Sequence, residues 1–298
     1  MTYDAIIIGG SFAGLSAALQ LARARRSILI IDDGLRRNRF AAHSHGFLTQ
    51  DGRPPSEIIA SARSQLMRYD AVDWLDARAE MARRADKDEF HVIVKGESER
   101  VARRLILSTG VTDILPQLPG LKERWGRTVF HCPYCHGYEL ERGKIAVLAT
   151  SSLSMHHALM LPDWGETTLL LNGSFEPDAG QLYQLAQRGV TVERCGIERL
   201  DGGDEQVDVI LNDGRILKMD GLFTLPKTVI PVAFARQLGC TLDEGPLGNY
   251  LYTDATKATT VNGVFACGDV ARAAGSVAMA VGDGAMAGVA AHRSLLFG

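Results

Sequence analysis

Residues 5–14 read Ala5-Ile6-Ile7-Ile8-Gly9-Gly10-Ser11-Phe12-Ala13-Gly14, and their order of apolar run, glycine turn and small-residue stretch decides the fold. The β-branched run from Asp4 to Gly9 predicts a buried strand, and the alanine-rich segment from Ala13 to about Arg26 a helix. A second apolar run, Ser27 to Ile31, ends in Asp32 and Asp33. Strand, turn, helix and strand make one right-handed βαβ unit at the start of the chain. The turn matches G-x-G-x-x-G at its first and last glycines and carries Ser11 at the middle one. Such a turn lets a helix N-terminus face a diphosphate, and an acid at the end of the next strand suits a ribose hydroxyl. The alternative is an ordinary tight turn.

Outward from this unit, a helix is expected near Ser56 to Tyr69. A meander follows, from Phe90 to Val94 and Val101 to Leu107, ending in Ser108-Thr109-Gly110. The stretch Leu115 to Gly120, rich in proline and glycine, is the linker candidate of the first half. A second strand-turn-helix-strand pattern starts at Lys144, with Ile145 to Ala149, Met155 to Leu161 and Thr167 to Leu171. Near the end, Val264-Phe265-Ala266-Cys267-Gly268-Asp269 predicts a strand running into Gly-Asp, then a small-residue helix from Ser276 to Ser294. The two βαβ starts form an architectural repeat, so the expected class is α/β with two Rossmann-like dinucleotide-binding domains. One domain is built from 1–112 and 226–298, and the other, 113–225, is inserted into it.

The 298 residues suit two domains, and 46% apolar residues with 31 glycines suit a compact α/β protein. The formal charge of -3, with basic residues scattered over Arg23–Arg26 and Arg36–Arg39, gives no reason to expect nucleic acid. Glycines and polar residues interrupt Ile6 to Leu21, and no basic n-region precedes it, so no membrane span is read and a cytoplasmic enzyme is expected.

Five cysteines are too few for a disulfide framework, and their spacing matters more. The informative stretch is His131-Cys132-Pro133-Tyr134-Cys135-His136-Gly137-Tyr138-Glu139. Two cysteines three apart, with proline suited to a first helical turn, place both thiols near a helix N-terminus, where the dipole favours a thiolate. Zinc would need two further ligands, and although His131 and His136 flank the pair, no second CxxC or spaced histidine pair occurs. A redox pair is the leading reading, with zinc or inert packed thiols as alternatives; no metal site is expected. Cys195, Cys240 and Cys267 read as buried small hydrophobes, and His156 and His157 as structural or solvent-facing.

With both dinucleotide half-motifs and the CxxC in view, the chain resembles the low-molecular-weight thioredoxin reductase family over essentially its whole length. The run Cys132-Pro-Tyr-Cys135-His136-Gly-Tyr-Glu139 is most similar to the subgroup containing the dithiol oxidases of gliotoxin and holomycin biosynthesis. The resemblance implies FAD as cofactor, touched by Gly9, Ser11, Phe12, Ala13, Gly14, Asp32, Asn38, His45, Gly110, Gly268, Asp269, Val277 and Ala278. In that arrangement Asp32 meets the adenosine ribose and Asp269 the ribityl-diphosphate region. It also implies that Cys135 faces the flavin, that Cys132 exchanges with substrate, and that the protein is a homodimer. His136 stands where the reductases carry an acidic proton carrier; an imidazole titrating near neutrality could serve there. A helix-capping surface histidine is the alternative.

The sequence departs from the family where NADPH would bind. Ala149-Thr150-Ser151-Ser152-Leu153-Ser154 replaces the expected G-x-G-x-x-A, and the following strand ends Leu171-Asn172-Gly173-Ser174 with no arginine for a 2′-phosphate. Tight NADPH binding is therefore not expected. The leading functional expectation is oxidation of a small dithiol or short peptide, with electrons passing from the cysteine pair through FAD to dioxygen and hydrogen peroxide released. The alternatives are a disulfide reductase for thioredoxin-like proteins, fed by ferredoxin, another flavoprotein or weakly bound NAD(P)H, and a non-catalytic FAD-binding redox sensor.

Overall fold

The computed structural model describes residues 1–86 and 88–298. The chain forms two compact units: Met1–Arg39, Phe47–Thr112 and Thr228–Gly298 make the first, Phe40–Gly46 and Asp113–Lys227 the second. The short segment Phe40–Gly46, read from sequence as part of the first domain, belongs to the second unit.

In the first unit β1 (Thr2–Ile8) leads through the glycine turn into α1 (Phe12–Arg23) and β2 (Ile28–Asp32). After α2 (Pro55–Leu66) come β3 (Val72–Asp76), β4 (Ala79–Asp86), β5 (Glu89–Val94) and β6 (Arg100–Leu107). The sheet order is β3-β2-β1-β6-β5-β4, with strand Val264–Ala266 pairing to β6. The strands β3, β2, β1, β6 and Val264–Ala266 run parallel to their neighbours, while β4 and β5 are antiparallel. Side chains alternate faces along a strand: Ile6, Ile8, Leu29 and Ile31 enter one core, and Ala5, Ile7, Ile28 and Ile30 the other. Burial on both faces explains why β1 and β2 read as unbroken apolar runs.

The first helix is shorter than expected, because Arg25 takes a left-handed conformation (φ 58°) that ends it. The helix Val277–Phe297 runs slightly past the expected end and is capped by Ser276, whose Oγ accepts from the Met279 amide at 3.3 Å. It packs on α1 through small residues; a side chain at Gly284 would collide with the Ala13 carbonyl. The expected meander gains a strand the sequence reading missed, β4, which buries only Ala79 and Ala82 and so shows almost no apolar pattern.

The second unit holds a five-stranded parallel sheet ordered Thr191–Glu193, Gly165–Leu170, Arg142–Leu148, Gly221–Thr224, Val129–Phe130. An antiparallel meander, Ile197–Asp201, Val207–Leu211 and Ile216–Met219, completes it. The supposed linker is part of this unit: Leu115 and Leu118 pack against its core beside Leu121, Trp125 and Leu200. Among the described residues no helix is long and apolar enough to cross a membrane.

Candidate active site: a glycine cradle and a cysteine pair

The turn after β1 is held from three sides. Gly9 takes φ 102° and donates to the Ile31 carbonyl at 2.8 Å, and Ser108 Oγ stands 2.7 Å from the Gly9 carbonyl oxygen. A side chain at Gly9 would strike the Ser108 backbone, and one at Gly14 the Gly9 carbonyl. Gly14 therefore keeps α1 against the turn, as its motif position requires. The Gly10 amide donates to Asp32 Oδ1 at 2.9 Å, so the acid at the end of β2 also anchors the turn. Leu15 makes the first α-helical bond, to the Ser11 carbonyl at 2.9 Å. Ahead of it, the amides of the first turn of α1, around Phe12, Ala13 and Gly14, have no intrahelical acceptor and give the N-terminus its positive end.

Other expected cofactor residues gather by the same strand ends. Gly268 lies so near α1 that a Cβ on it would stand 2.9 Å from the Ala13 Cβ. Asp269 follows and pairs with Arg37 (2.9 Å), a residue the sequence reading did not single out. Asn38 lies in the single helical turn Arg37–Phe40. Gly110 has φ 65° with open space around its Cα, and Val277 and Ala278 begin the C-terminal helix. A cleft of about 310 Å³ opens beyond β2, lined by Asp32, Asp33, Gly34, Asp76, Ala77 and Arg78.

In the second unit Cys132 and Cys135 form a disulfide, with their Cα atoms 5.3 Å apart. Cys132 is the N-cap of the helix Pro133–His136, and Pro133 occupies its first position. The helix has one turn, so the dipole expected to favour a thiolate is that of a single turn rather than a long helix. Both cysteines are partly exposed.

His136 stacks on Phe130, centroids 4.3 Å apart and planes 19° apart. Burial, with smaller contributions from the charges of His131 and His45, lowers its pKa to about 4. This corrects the expectation of an imidazole titrating near neutrality: the ring is neutral at physiological pH while the pair is oxidised. A thiolate formed at the adjacent Cys135 would pull its pKa back up, because a nearby negative charge favours the imidazolium. His45, grouped by sequence with the dinucleotide residues, lies in the second unit with Nδ1 3.3 Å from Glu139 Oε1. His131 stacks near Trp125 at 5.9 Å, and the exposed Tyr134 meets Trp164 edge-on at 5.3 Å. These ring contacts join residues that no local pattern links.

The turn after strand Arg142–Leu148 is built differently. The Thr150 amide donates to Ser154 Oγ at 3.0 Å, and the Leu153 amide to Ser151 Oγ at 3.3 Å. None of residues 149–154 has positive φ; Ser151 is extended at φ −171°. The helix that follows, Met155–Met160, is six residues long. After strand Gly165–Leu170 the chain turns at Asn172 (φ 45°) and Gly173 (φ 68°), and Asn172 Oδ1 accepts from the Ile197 amide at 2.8 Å. His157, on the short helix, is buried edge-on to Phe223, and burial lowers its pKa to about 4. Cys240 and Cys267 are buried as expected, whereas Cys195 is partly exposed.

The profile of the pyridine nucleotide-disulphide oxidoreductase family matches residues 3–284. A thioredoxin reductase of Claviceps purpurea, tcpT, is 33% identical over 305 residues, covering 98% of this chain and 94% of the relative. The crystal structure of an oxidoreductase from Agrobacterium tumefaciens is 59% identical, covers 100% of this chain and 99% of its own, and superposes with a TM-score of 0.96. That of HlmI is 33% identical, covers 99% and 93%, and has a TM-score of 0.92. Thioredoxin reductase-like proteins bind FAD, and the cradle at Gly9 and Gly14, where added side chains would collide with backbone, fits the close approach of a dinucleotide diphosphate. The chain thus belongs to the pyridine nucleotide-disulphide oxidoreductase family, as a thioredoxin reductase-like, FAD-dependent thiol-disulfide oxidoreductase.

Proposed function

We propose that this enzyme oxidises a small dithiol, or a short peptide bearing one, and delivers the electrons to dioxygen: dithiol plus O₂ gives cyclic disulfide plus H₂O₂. The observation that carries the direction is the turn at residues 149–154, whose Thr150 and Leu153 amides are already taken by serine hydroxyls. A diphosphate needs such amides, and a turn without positive φ or glycine at its first positions does not let the backbone approach it. Tight NADPH binding is thus disfavoured, while the cysteine pair is intact.

A substrate thiolate attacks Cys132 Sγ, the Cys132–Cys135 bond breaks, and Cys135 leaves as thiolate. The second substrate thiolate then attacks the mixed disulfide, releasing cyclic product and the Cys132 thiolate. His136, neutral beforehand and next to Cys135 in the chain, holds the proton that the departing charge attracts. Gly9, Ser11, Phe12, Ala13, Gly14, Asp32, Asn38, His45, Gly110, Gly268, Asp269, Val277 and Ala278 would hold FAD, which would supply two-electron transfer between the cysteine pair and dioxygen. We place the enzyme in the cytoplasm as a homodimer; the exposed Met279, Met286 and Leu296 on the C-terminal helix favour the latter.

The test is anaerobic stopped-flow absorbance of the yellow holoprotein mixed with excess dithiothreitol or NADPH, followed by oxygen. Rapid bleaching by dithiol alone, with peroxide on reoxidation, is expected. Rapid bleaching by NADPH would overturn the reading. The second reading is a disulfide reductase for thioredoxin-like proteins, favoured by the name thioredoxin reductase that relatives such as tcpT carry; it requires fast reduction by NADPH or another donor.

A further inference from the structure

The glycine cradle must receive a diphosphate with two negative charges, yet the groups around it include two carboxylates. Asp32 is bonded to the Gly10 amide, and Asp269 follows Gly268, which lies against Ala13 in the first turn of α1. The helix end offers the equivalent of about half a positive charge, too little to offset a carboxylate beside the incoming phosphates. The Asp269 side chain is only 23% exposed, so water screens it incompletely.

Arg37 resolves this imbalance. It follows the end of β2 by five positions and sits in the single turn Arg37–Phe40. Its Nη1 reaches Asp269 Oδ2 at 2.9 Å, joining residues 232 apart, and its side chain is 22% exposed. A guanidinium presents its donors in a rigid planar fork, and Nη1 of this one is directed at Asp269. An arginine so held is oriented before the cofactor arrives, which lowers the entropy lost on binding.

We propose that Arg37 is the cation of the FAD diphosphate site: Asp269 fixes its guanidinium beside the start of α1, and the guanidinium donates to a diphosphate oxygen of the bound cofactor. The inference rests on the FAD dependence of the family and not on the direction of electron flow. Its competitor is a positioning role, in which Arg37 acts only by orienting Asp269.

The two are separated by measuring FAD release from the holoprotein, as the rise of free-flavin fluorescence on dilution, at low and high salt. The proteins compared are wild type, Arg37→Gln, Arg37→Lys, Asp269→Asn and the Arg37→Gln/Asp269→Asn double variant, each checked for folding by circular dichroism. Arg37→Gln should weaken FAD binding about 10- to 100-fold, the size expected for one charge-assisted hydrogen bond, and should flatten the salt dependence. Arg37→Lys should retain part of the affinity and the salt slope. In the Asp269→Asn background, Arg37→Gln should still cost roughly tenfold. A silent Arg37→Gln in that background, a lysine variant as poor as glutamine, or an unchanged salt slope would each overturn the proposal. The readout is cofactor affinity, so it is independent of turnover.

Discussion

Two turns occupy the same topological position in this chain, each joining a parallel strand to a helix, and they have been built in opposite ways. After β1 the turn is glycine at 9, 10 and 14, has a positive φ at Gly9, and opens a helix of 12 residues. After strand Arg142–Leu148 the turn is mostly threonine and serine, stays at negative φ, and spends its Thr150 and Leu153 amides on serine hydroxyls before a helix of six residues begins. A backbone that binds a diphosphate must leave N–H groups unspent; one that spends them on its own hydroxyls becomes a self-contained cap. The second unit keeps its sheet and presents the cysteine pair, while the Thr150 and Leu153 amides of this turn are spent within it.

The largest expected effect tests whether the second unit exists for its cysteines. Cys132→Ser should lower the rate of dithiol-driven flavin bleaching by at least about three orders of magnitude, since thiol-disulfide exchange needs the disulfide, and the protein should remain yellow. Residual rapid bleaching would separate the cysteine pair from the chemistry. Next in size is Gly14→Ala, whose added methyl meets the Gly9 carbonyl. Overpacking of this kind costs about 1–3 kcal/mol, and flavin absorbance per mole of purified protein should fall steeply. Full flavin content in that variant would break the claim that the first turn must stay open.

The pH dependence is smaller. His136 and His157 have their pKa lowered from 6.5 to about 4 by burial. Between those values the unfolded chain binds more protons than the folded one, so stability should fall as pH drops from about 6.5 towards 4, by up to roughly 3 kcal/mol per imidazole. Above 6.5 neither ring contributes a slope. Denaturant melts at several pH values check this, and His157→Phe should remove its share without changing flavin content; a pH-independent melting midpoint would refute the burial argument. The smallest effect is Ser154→Ala, which strips the hydroxyl from the Thr150 amide and should cost about 1 kcal/mol with no loss of flavin. Combined with Thr150→Gly and Ser151→Gly, this variant should gain bleaching by NADPH if the spent amides keep the nucleotide out, and no gain would break that link.

Local patterns made much of this legible. The β1–turn–α1–β2 unit and the Cys132/Cys135 pair could be read because the residues that matter are neighbours in the chain. The strand β4 could not, because Ala79 and Ala82 alone face the core and their neighbours Arg83 and Arg84 are exposed. The titration of His136 was misread for a related reason: the stack on Phe130 and the burial of the ring are not visible in His-Cys-Pro-Tyr-Cys-His.

Sequence alone determined the α/β class, the dinucleotide turn, the cysteine pair and the loss of glycines at residues 149–154. Each depends on backbone conformations and spacings that a few adjacent residues dictate. Tertiary structure alone decided that Arg37 meets Asp269, that His45 meets Glu139 within the second unit, and that serine hydroxyls take the amides of the second turn. A charge or a hydroxyl can satisfy many partners, and which one it finds is set by how the strands around it are ordered in the sheet.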